Sequence, residues 1–127
     1  RTARALAPHL VKNGWGRIIN IGGLAIRKTG RPVATLRNVG VAAITKNLAD
    51  ELGPKGINVV AVHPGATRTE RTRPQAEQEL AQGVSIGRIV DASEVAYVVA
   101  FLASPRSVAI NGDAIPTGGG SLGSIYY

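Results

Sequence analysis

The sequence predicts an α/β fold built on a parallel sheet of about three strands with flanking helices. Short, β-branched and almost continuously apolar segments have the composition of strands that are buried on both faces. Longer segments with helical periodicity separate them, and strands joined through such helices run parallel by right-handed crossovers. With 127 residues, of which 44% are hydrophobic and 18% charged, the chain is expected to form one packed domain.

The first half of the chain predicts a helix, a strand and a longer helix. Residues 2–12 carry apolar side chains at near-helical spacing, and residues 17–21 have the composition of a buried strand. Residues 24–32 contain glycine and proline among polar residues and predict a loop. A helix is predicted over residues 33–52. Its apolar stripe is expected to consist of Val41, Ile44, Leu48 and Leu52.

The second half predicts two more strands and two more helices. The strands are expected at residues 57–62 and 113–116, and a short helix is expected near residues 75–81. A further helix is predicted over residues 92–103, with Asp91 as its cap because a carboxylate can accept from the free backbone N–H groups.

Composition narrows the classes of function. Cysteine is absent, which excludes disulfides and thiolate metal sites and fits a cytoplasmic protein. The net charge of +7 raises the question of nucleic-acid binding. The basic residues are scattered, however, apart from Arg68, Arg71 and Arg73, and no aromatic residues alternate with them. A solvated basic surface is therefore favoured, with no nucleic-acid partner. No apolar run reaches the roughly 20 residues of a membrane span, so no membrane partner is expected.

Three segments in order carry a family resemblance. They read GWGRIINIGG at residues 14–23, AAITKNLADELG at 42–53 and VHPGATRT at 62–69. On these motifs the chain resembles the short-chain dehydrogenase/reductase family over essentially its whole length. The resemblance implies that residues 1–127 are a single domain, the C-terminal part of a doubly wound parallel Rossmann-type sheet. The N-terminal nucleotide-binding half, with its glycine-rich turn, is then expected to lie outside this sequence.

The resemblance implies a site for NAD or NADP at the carboxyl ends of the strands. The cofactor contacts implied by the motifs are Ile21, Gly22, Pro64, Gly65, Ala66, Thr67 and Thr69. The proline fixes the turn, and the glycine lets the backbone approach the nicotinamide. His63 is expected to be a packed turn residue rather than a ligand or base. The glycines at 118–120 are expected to form a turn rather than a phosphate-binding loop.

The resemblance also implies which positions would carry catalysis. Family members transfer a hydride between the nicotinamide and a carbonyl or alcohol. A tyrosine acts as the general acid/base, a lysine lowers its pKa and a serine steadies the substrate oxygen. With residues 42–46 as the anchor, these tyrosine, lysine and serine positions are occupied by Ala34, Asn38 and Gly23. No catalytic residue is therefore expected at any of the three positions.

Two classes of function stay open on the sequence alone. The first is an NAD(P)-dependent oxidoreductase with divergent catalytic residues, acting on an unknown small carbonyl or alcohol. Thr35 is too weak an acid to replace the tyrosine. The remaining substitutes to consider are Lys28, Arg37, Tyr126 and Tyr127. The second class is a non-catalytic nucleotide-binding or assembly protein, a pseudoenzyme. A homo-oligomer is expected of the full-length protein in either case, because family members commonly associate through the long helix and the helix that precedes it.

Overall fold

A computed structural model describes residues 1–125 of the chain. The helices are α1 (Thr2–Asn13), α2 (Pro32–Leu52), α3 (Pro74–Ala81) and α4 (Ala92–Ala103). The strands are β1 (Gly16–Ile21), β2 (Ile57–Pro64), β3 (Thr67–Arg68), β4 (Val90–Asp91) and β5 (Ala114–Thr117). The predicted helices and strands are thereby confirmed, with small shifts at their ends. No helix within residues 1–125 is long and apolar enough to cross a membrane.

The main sheet is parallel, as predicted, and has the strand order β1-β2-β5. The central strand β2 is buried over residues 57–63. In contrast, β1 is mostly half-buried, because β2 is the one strand that pairs with it among the described residues. The prediction that β1 is buried on both faces is therefore wrong for this chain. The short strands β3 and β4 form a separate parallel pair that the sequence did not predict.

Helices cover both faces of the main sheet. On one face, Ala49 and Leu52 of α2 form a core cluster with Ile57 and Val59 of β2, and residues of α1 pack against it. On the other face, Leu102 of α4 packs with two valines of β2. This three-layer arrangement is the doubly wound architecture that the family resemblance implies.

The buried side of α2 differs from the predicted apolar stripe. The buried residues of this helix are Asn38, Thr45, Ala49 and Leu52. Ile44, which was expected to be buried, is 59% exposed. Burial of the Thr45 hydroxyl is tolerated because this hydroxyl donates to Val41 O at 2.8 Å and accepts from Asn20 Nδ2 at 3.0 Å. The helix is thus oriented by satisfied polar contacts as well as by apolar burial.

Candidate functional site

The carboxyl ends of β1 and β2 open into a cleft of about 470 Å³. Ligands of open α/β sheets bind at this edge, outside the ends of the strands. Main-chain segments form much of its lining, namely residues 22–25 after β1, 64–66 at the end of β2 and parts of 118–121 after β5. Residues near the start of α2 and the end of α3 complete the walls.

His63 fixes the turn that follows β1. Its side chain is 2% exposed, and its Nδ1 lies 3.1 Å from Gly23 N and 3.0 Å from Gly23 O. Gly22 N–H donates to Val62 O at 2.8 Å. A Cβ added to Gly22 would lie 2.8 Å from His63 Cε1, so this position requires glycine. His63 is therefore the packed residue that the sequence predicted, and it does not line the cleft.

Two glycines bring the main chain into direct contact beneath the cleft. A Cβ on Gly65 would lie 2.7 Å from Gly118 Cα, and one on Gly118 would lie 2.8 Å from Gly65 Cα. The chain then bends at residues 119–120, whose φ angles are 72° and 84°. Ser85 N–H donates to Gly120 O at 3.1 Å. The glycine run is thus a turn after the last strand, as predicted, and it also forms part of the cleft wall. No helix follows it up to residue 125.

The three positions that the resemblance assigns to catalysis lie close together, and two of them line the cleft. Asn38 Nδ2 donates to Ala34 O at 2.9 Å, and a Cβ on Gly23 would lie 3.7 Å from Asn38 Oδ1. Gly23 and Asn38 line the cleft, whereas Ala34 lies one helical turn before Asn38. An amide, a methyl group and a glycine offer no acid or base for proton transfer.

The segment after β1 is more ordered than the predicted loop. Residues Leu24–Arg27 form a 3₁₀ turn, and the Leu24 side chain is 8% exposed. The Thr35 hydroxyl lies 3.1 Å from Ala25 O and 3.0 Å from Lys28 O. This hydroxyl therefore holds the turn against α2, a structural contact that sequence periodicity does not reveal.

The structure brings together four of the seven expected cofactor contacts. Gly22, Pro64, Gly65 and Ala66 line the cleft. The other three do not: Ile21 is 57% exposed, Thr67 Oγ1 donates to Gly65 O at 3.1 Å, and Thr69 Oγ1 lies 3.2 Å from Thr72 Oγ1. Tyr126 and Tyr127, considered as substitute catalytic residues, lie outside the described residues.

The charged groups that line the cleft are all basic. Lys28, Arg31 and Arg37 contribute to the lining, and no aspartate or glutamate within residues 1–125 does so. Sequence reasoning named Lys28 and Arg37 but missed Arg31, because the proline that follows it marks the start of a helix and not a binding residue. It also missed Val84 and Ser121, which pair across the cleft wall.

An ion-pair network holds α3 against the start of α4. Arg68 donates to Asp91 Oδ1 at 2.5 Å and to both carboxylate oxygens of Glu77, each 3.2 Å from its Nε. The pair with Arg68 lowers the pKa of Glu77. Arg88 donates to Glu94 at 2.6 and 2.7 Å. Together with the Asp91 N–H, Arg88 lowers the pKa of Glu94 to about 2.

The family model and three relatives that this chain resembles are described as reductases. A model of the family described as enoyl-(acyl carrier protein) reductase matches residues 1–121. The 3-oxoacyl-(acyl-carrier-protein) reductase FabG of Pseudomonas aeruginosa is 38% identical over 125 residues, which cover 94% of this chain and 51% of that protein. The chain thus spans about half the length of the curated relatives that it matches.

Solved structures share the same architecture. The crystal structure of YwfH, an NADPH-dependent reductase involved in bacilysin biosynthesis, matches with a TM-score of 0.88 and 30% identity. The match covers 97% of this chain and 53% of that one. A 3-oxoacyl-(acyl-carrier protein) reductase from Brucella melitensis matches with a TM-score of 0.87 and 29% identity, over 97% of this chain and 48% of the other.

Proposed function

Since this chain belongs to the short-chain dehydrogenase/reductase family, we propose that it binds the nicotinamide end of NAD or NADP without tyrosine-dependent catalysis. One observation carries the proposal. Gly23 and Asn38 line the cleft, and Ala34, whose carbonyl oxygen accepts from the Asn38 amide, lies one helical turn before Asn38. The family resemblance expects serine, lysine and tyrosine, respectively, at these three positions. The fold and the cleft are retained, while the groups that would move a proton are replaced.

The residues of the cleft suit a flat heteroaromatic ring. Where Gly65 and Gly118 touch, the cleft wall consists of main-chain atoms without side chains. A planar group can approach such a wall closely. Gly22 and Pro64–Ala66 are the residues that would hold the nicotinamide. When bound, this ring donates or accepts a hydride. The diphosphate would be held elsewhere, because no glycine-rich turn precedes a helix within residues 1–125.

The chemical consequence is a large loss of rate. General acid/base assistance is typically worth roughly 10²–10⁴-fold. The charged side chains among the described lining residues are Lys28, Arg31 and Arg37. Arginine does not release a proton under ordinary conditions, and the Asn38 amide does not titrate. Under this proposal the protein binds and positions its ligands but reduces carbonyl compounds poorly or not at all.

A divergent oxidoreductase is the second candidate, and the position of Lys28 favours it. This lysine lines the cleft, and it is the one side chain among the described lining residues of a type that commonly serves as a general acid in enzymes. An active enzyme would use it as the acid. Loss of turnover in Lys28→Met, with nucleotide binding unchanged, would support this candidate.

Nucleotide binding is the first test of the proposal. Titration of the full-length protein with NADH and NADPH, followed by calorimetry or by nucleotide fluorescence, is expected to show saturable binding. A panel of aldehydes and ketones is expected to give no turnover above the uncatalysed rate. Absence of binding to either nucleotide would overturn the proposal.

Restoring the replaced residues is the sharper test. The triple variant Gly23→Ser, Ala34→Tyr, Asn38→Lys is expected to gain carbonyl reduction of roughly 10²-fold or more over the native protein. A serine fits at residue 23, because no atom lies closer than 3.7 Å to an added Cβ. The matched control replaces Ala34→Tyr by Ala34→Phe, which keeps the ring and removes the acidic hydroxyl. Equal rates in both variants would show that the hydroxyl contributes nothing.

We also propose that the full-length protein is a homo-oligomer that associates through α2. Val33 and Leu36 of this helix are 81% and 74% exposed, and an added Cβ on Gly40 would meet no atom within 4 Å. Such an apolar surface is typical of an interface. Sedimentation of Val33→Lys, Leu36→Lys against the native protein tests this, with a shift to monomer expected.

A further inference from the structure

We propose that the cleft binds a carbonyl compound or alcohol that carries a carboxylate or phosphate group, with Lys28, Arg31 and Arg37 as the anion-binding residues. The inference rests on the proposed function in one respect, because the ligand is taken to share the cleft with the nicotinamide. It adds the chemical class of that ligand.

The first argument is the uncompensated charge of the cleft. Three basic side chains line it, and no acidic side chain within the described part of the chain lines it with them. Lys28, Arg31 and Arg37 take part in none of the four ion pairs found in residues 1–125. The basic residues Lys46, Arg68 and Arg88, by contrast, are paired with carboxylates. Like charges that converge on a concave surface favour the entry of an anion.

The second argument is the local helix electrostatics. Arg31 is the cap residue of α2, and the first turn of this helix contains no acidic residue and no capping side chain. The amino-terminal end of a helix carries partial positive charge and free N–H donors. A cation there is unfavourable by itself, since acidic side chains are the stabilising ones at this end. A bound anion would offset both the helix dipole and the three side chains.

The third argument is the size and layout of the cleft. A cleft of about 470 Å³ falls within the range of small-molecule sites. Its lining combines the three cations with the Gly22 and Pro64–Ala66 main chain proposed for the nicotinamide. One small ligand would therefore have its anionic group on the basic residues and its carbonyl or hydroxyl toward the ring. Because the cations line the cleft itself, an anion that enters it is favoured over a macromolecule docked on the outside.

The test compares charged ligands with their uncharged counterparts. The probes are levulinate with its methyl ester, and dihydroxyacetone phosphate with dihydroxyacetone, titrated into the full-length protein by calorimetry with and without NADPH. The native protein is expected to bind at least one anion roughly tenfold or more tightly than its neutral partner. The first pair reports a preference for carboxylate and the second a preference for phosphate.

Substitution of the three basic residues tests whether the preference for an anion arises in the cleft. Lys28→Gln, Arg31→Gln, Arg37→Gln is expected to remove it, because the anion loses its charged donors. The control Lys55→Gln, Arg4→Gln, Arg106→Gln changes the same residue types and the same net charge at exposed positions that do not line the cleft, and should keep it. The charge-conserving variant Lys28→Arg, Arg31→Lys, Arg37→Lys should retain most of it, which separates charge loss from misfolding.

Three outcomes would overturn the inference. The first is that the native protein binds each anion no more tightly than the uncharged counterpart of that anion. The second is that the cleft variant weakens NADPH binding alone, which would assign the cations to the nucleotide. The third is that an acidic protein, titrated in the same way, binds the native protein but not the cleft variant, while no small anion is preferred. If the native protein prefers an anion but binds no nucleotide, the inference stands and the proposed function fails.

Discussion

Gly22 and Gly23 are adjacent and chemically identical, yet the structure gives them opposite constraints. A Cβ on Gly22 would lie 2.8 Å from His63 Cε1 and 2.9 Å from His63 Nδ1, and the imidazole is buried. Gly23 has an extended backbone with φ of −174° and meets nothing closer than 3.7 Å. Any residue adopts such a backbone, so glycine is required at the first position only.

Alanine substitutions at these two glycines should therefore change stability in opposite directions. Gly22→Ala is expected to lower the free energy of unfolding by about 1–3 kcal/mol, as overpacking does in a tight site. Gly23→Ala is expected to be neutral or to raise it by up to about 1 kcal/mol, because it restricts the unfolded chain. Urea denaturation measures both. Equal effects of the two substitutions would contradict the contact with His63.

The difference between Gly22 and Gly23 could not be predicted from the sequence, because it arises from a contact between distant residues. The motif identified both glycines as the end of a strand. The collision of Gly22 with His63 depends on a side chain 41 positions later, and on the register that pairs Ile21 with Val62. Such a contact has no local signal, so it became visible only when the two strand ends were placed side by side.

Among the elements, α3 is held mainly through side-chain charge. It has no buried residue, and the Arg68 pair with Glu77 connects it to the strand before it. Arg68 also reaches Asp91 at the start of α4. Because Leu80 of this helix lines the cleft, the position of the helix affects the site.

Loss of Arg68 should therefore loosen α3. In Arg68→Gln, amide hydrogens of residues 74–81 are expected to exchange severalfold faster than in the native protein, while those of β2 are unchanged. Arg71→Gln is the matched control, since this exposed arginine takes part in none of the ion pairs found in residues 1–125. Unchanged exchange in Arg68→Gln would show that packing alone positions the helix.

The cap of α4 gives a prediction on pH. Arg88, with the Asp91 N–H, lowers the pKa of Glu94 from its ordinary value of 4.5 to about 2. Because the pKa is lower in the folded state, ionised Glu94 stabilises the fold above about pH 4.5, and this contribution is lost as the pH falls toward 2. As the pH falls over this range, the melting temperature should decrease less in Glu94→Gln than in the native protein. Glu79→Gln, which removes a carboxylate absent from the ion pairs of residues 1–125, should keep the full loss.

The helices and main strands were predictable because each is long enough for its periodicity to be recognised. The strands β3 and β4 have two residues each, which carry no period. The apolar stripe of α2 was predicted wrongly at Ile44, because the periodicity does not show that Thr45 is buried with both of its hydrogen bonds made. Satisfied buried polar groups are what a hydrophobic pattern overlooks.

At the scale of the whole molecule, β1 has one strand neighbour in the described residues. Its other edge presents main-chain donors and acceptors that favour pairing with another strand. A polypeptide of residues 1–127 is therefore expected to be poorly soluble or to dimerise through this edge.

Sedimentation velocity tests this expectation. Ile21→Lys places a charge on the edge strand at a 57% exposed position and should shift the population toward monomer. Leu6→Lys, at a 52% exposed position of α1, is the control and should shift it less. A monodisperse native monomer would contradict the expectation.

The doubly wound architecture was predictable as a whole, whereas only part of the cleft was. The motifs located Gly22 and Pro64–Ala66, which line it, because strand ends follow from the chain order. They did not locate Arg31 or the wall formed by Val84 and Ser121. That wall joins residues 37 positions apart through a β-bridge and adjacent main-chain hydrogen bonds, and no pattern in either segment anticipates it.

The segment after β5 has a consequence for how this protein can evolve. Gly118, Gly120 and Ser121 line the cleft, and residues 119–122 pair with residues 83–86. None of residues 118–121 belongs to either apolar core cluster. Changes in this segment should therefore disturb the packing of the sheet and its helices less than changes in β2. Under the proposed function, inherited changes at Ser121 and Ser85 would alter which molecules are accepted at small cost to stability, so ligand choice could diverge between descendants that keep the same scaffold.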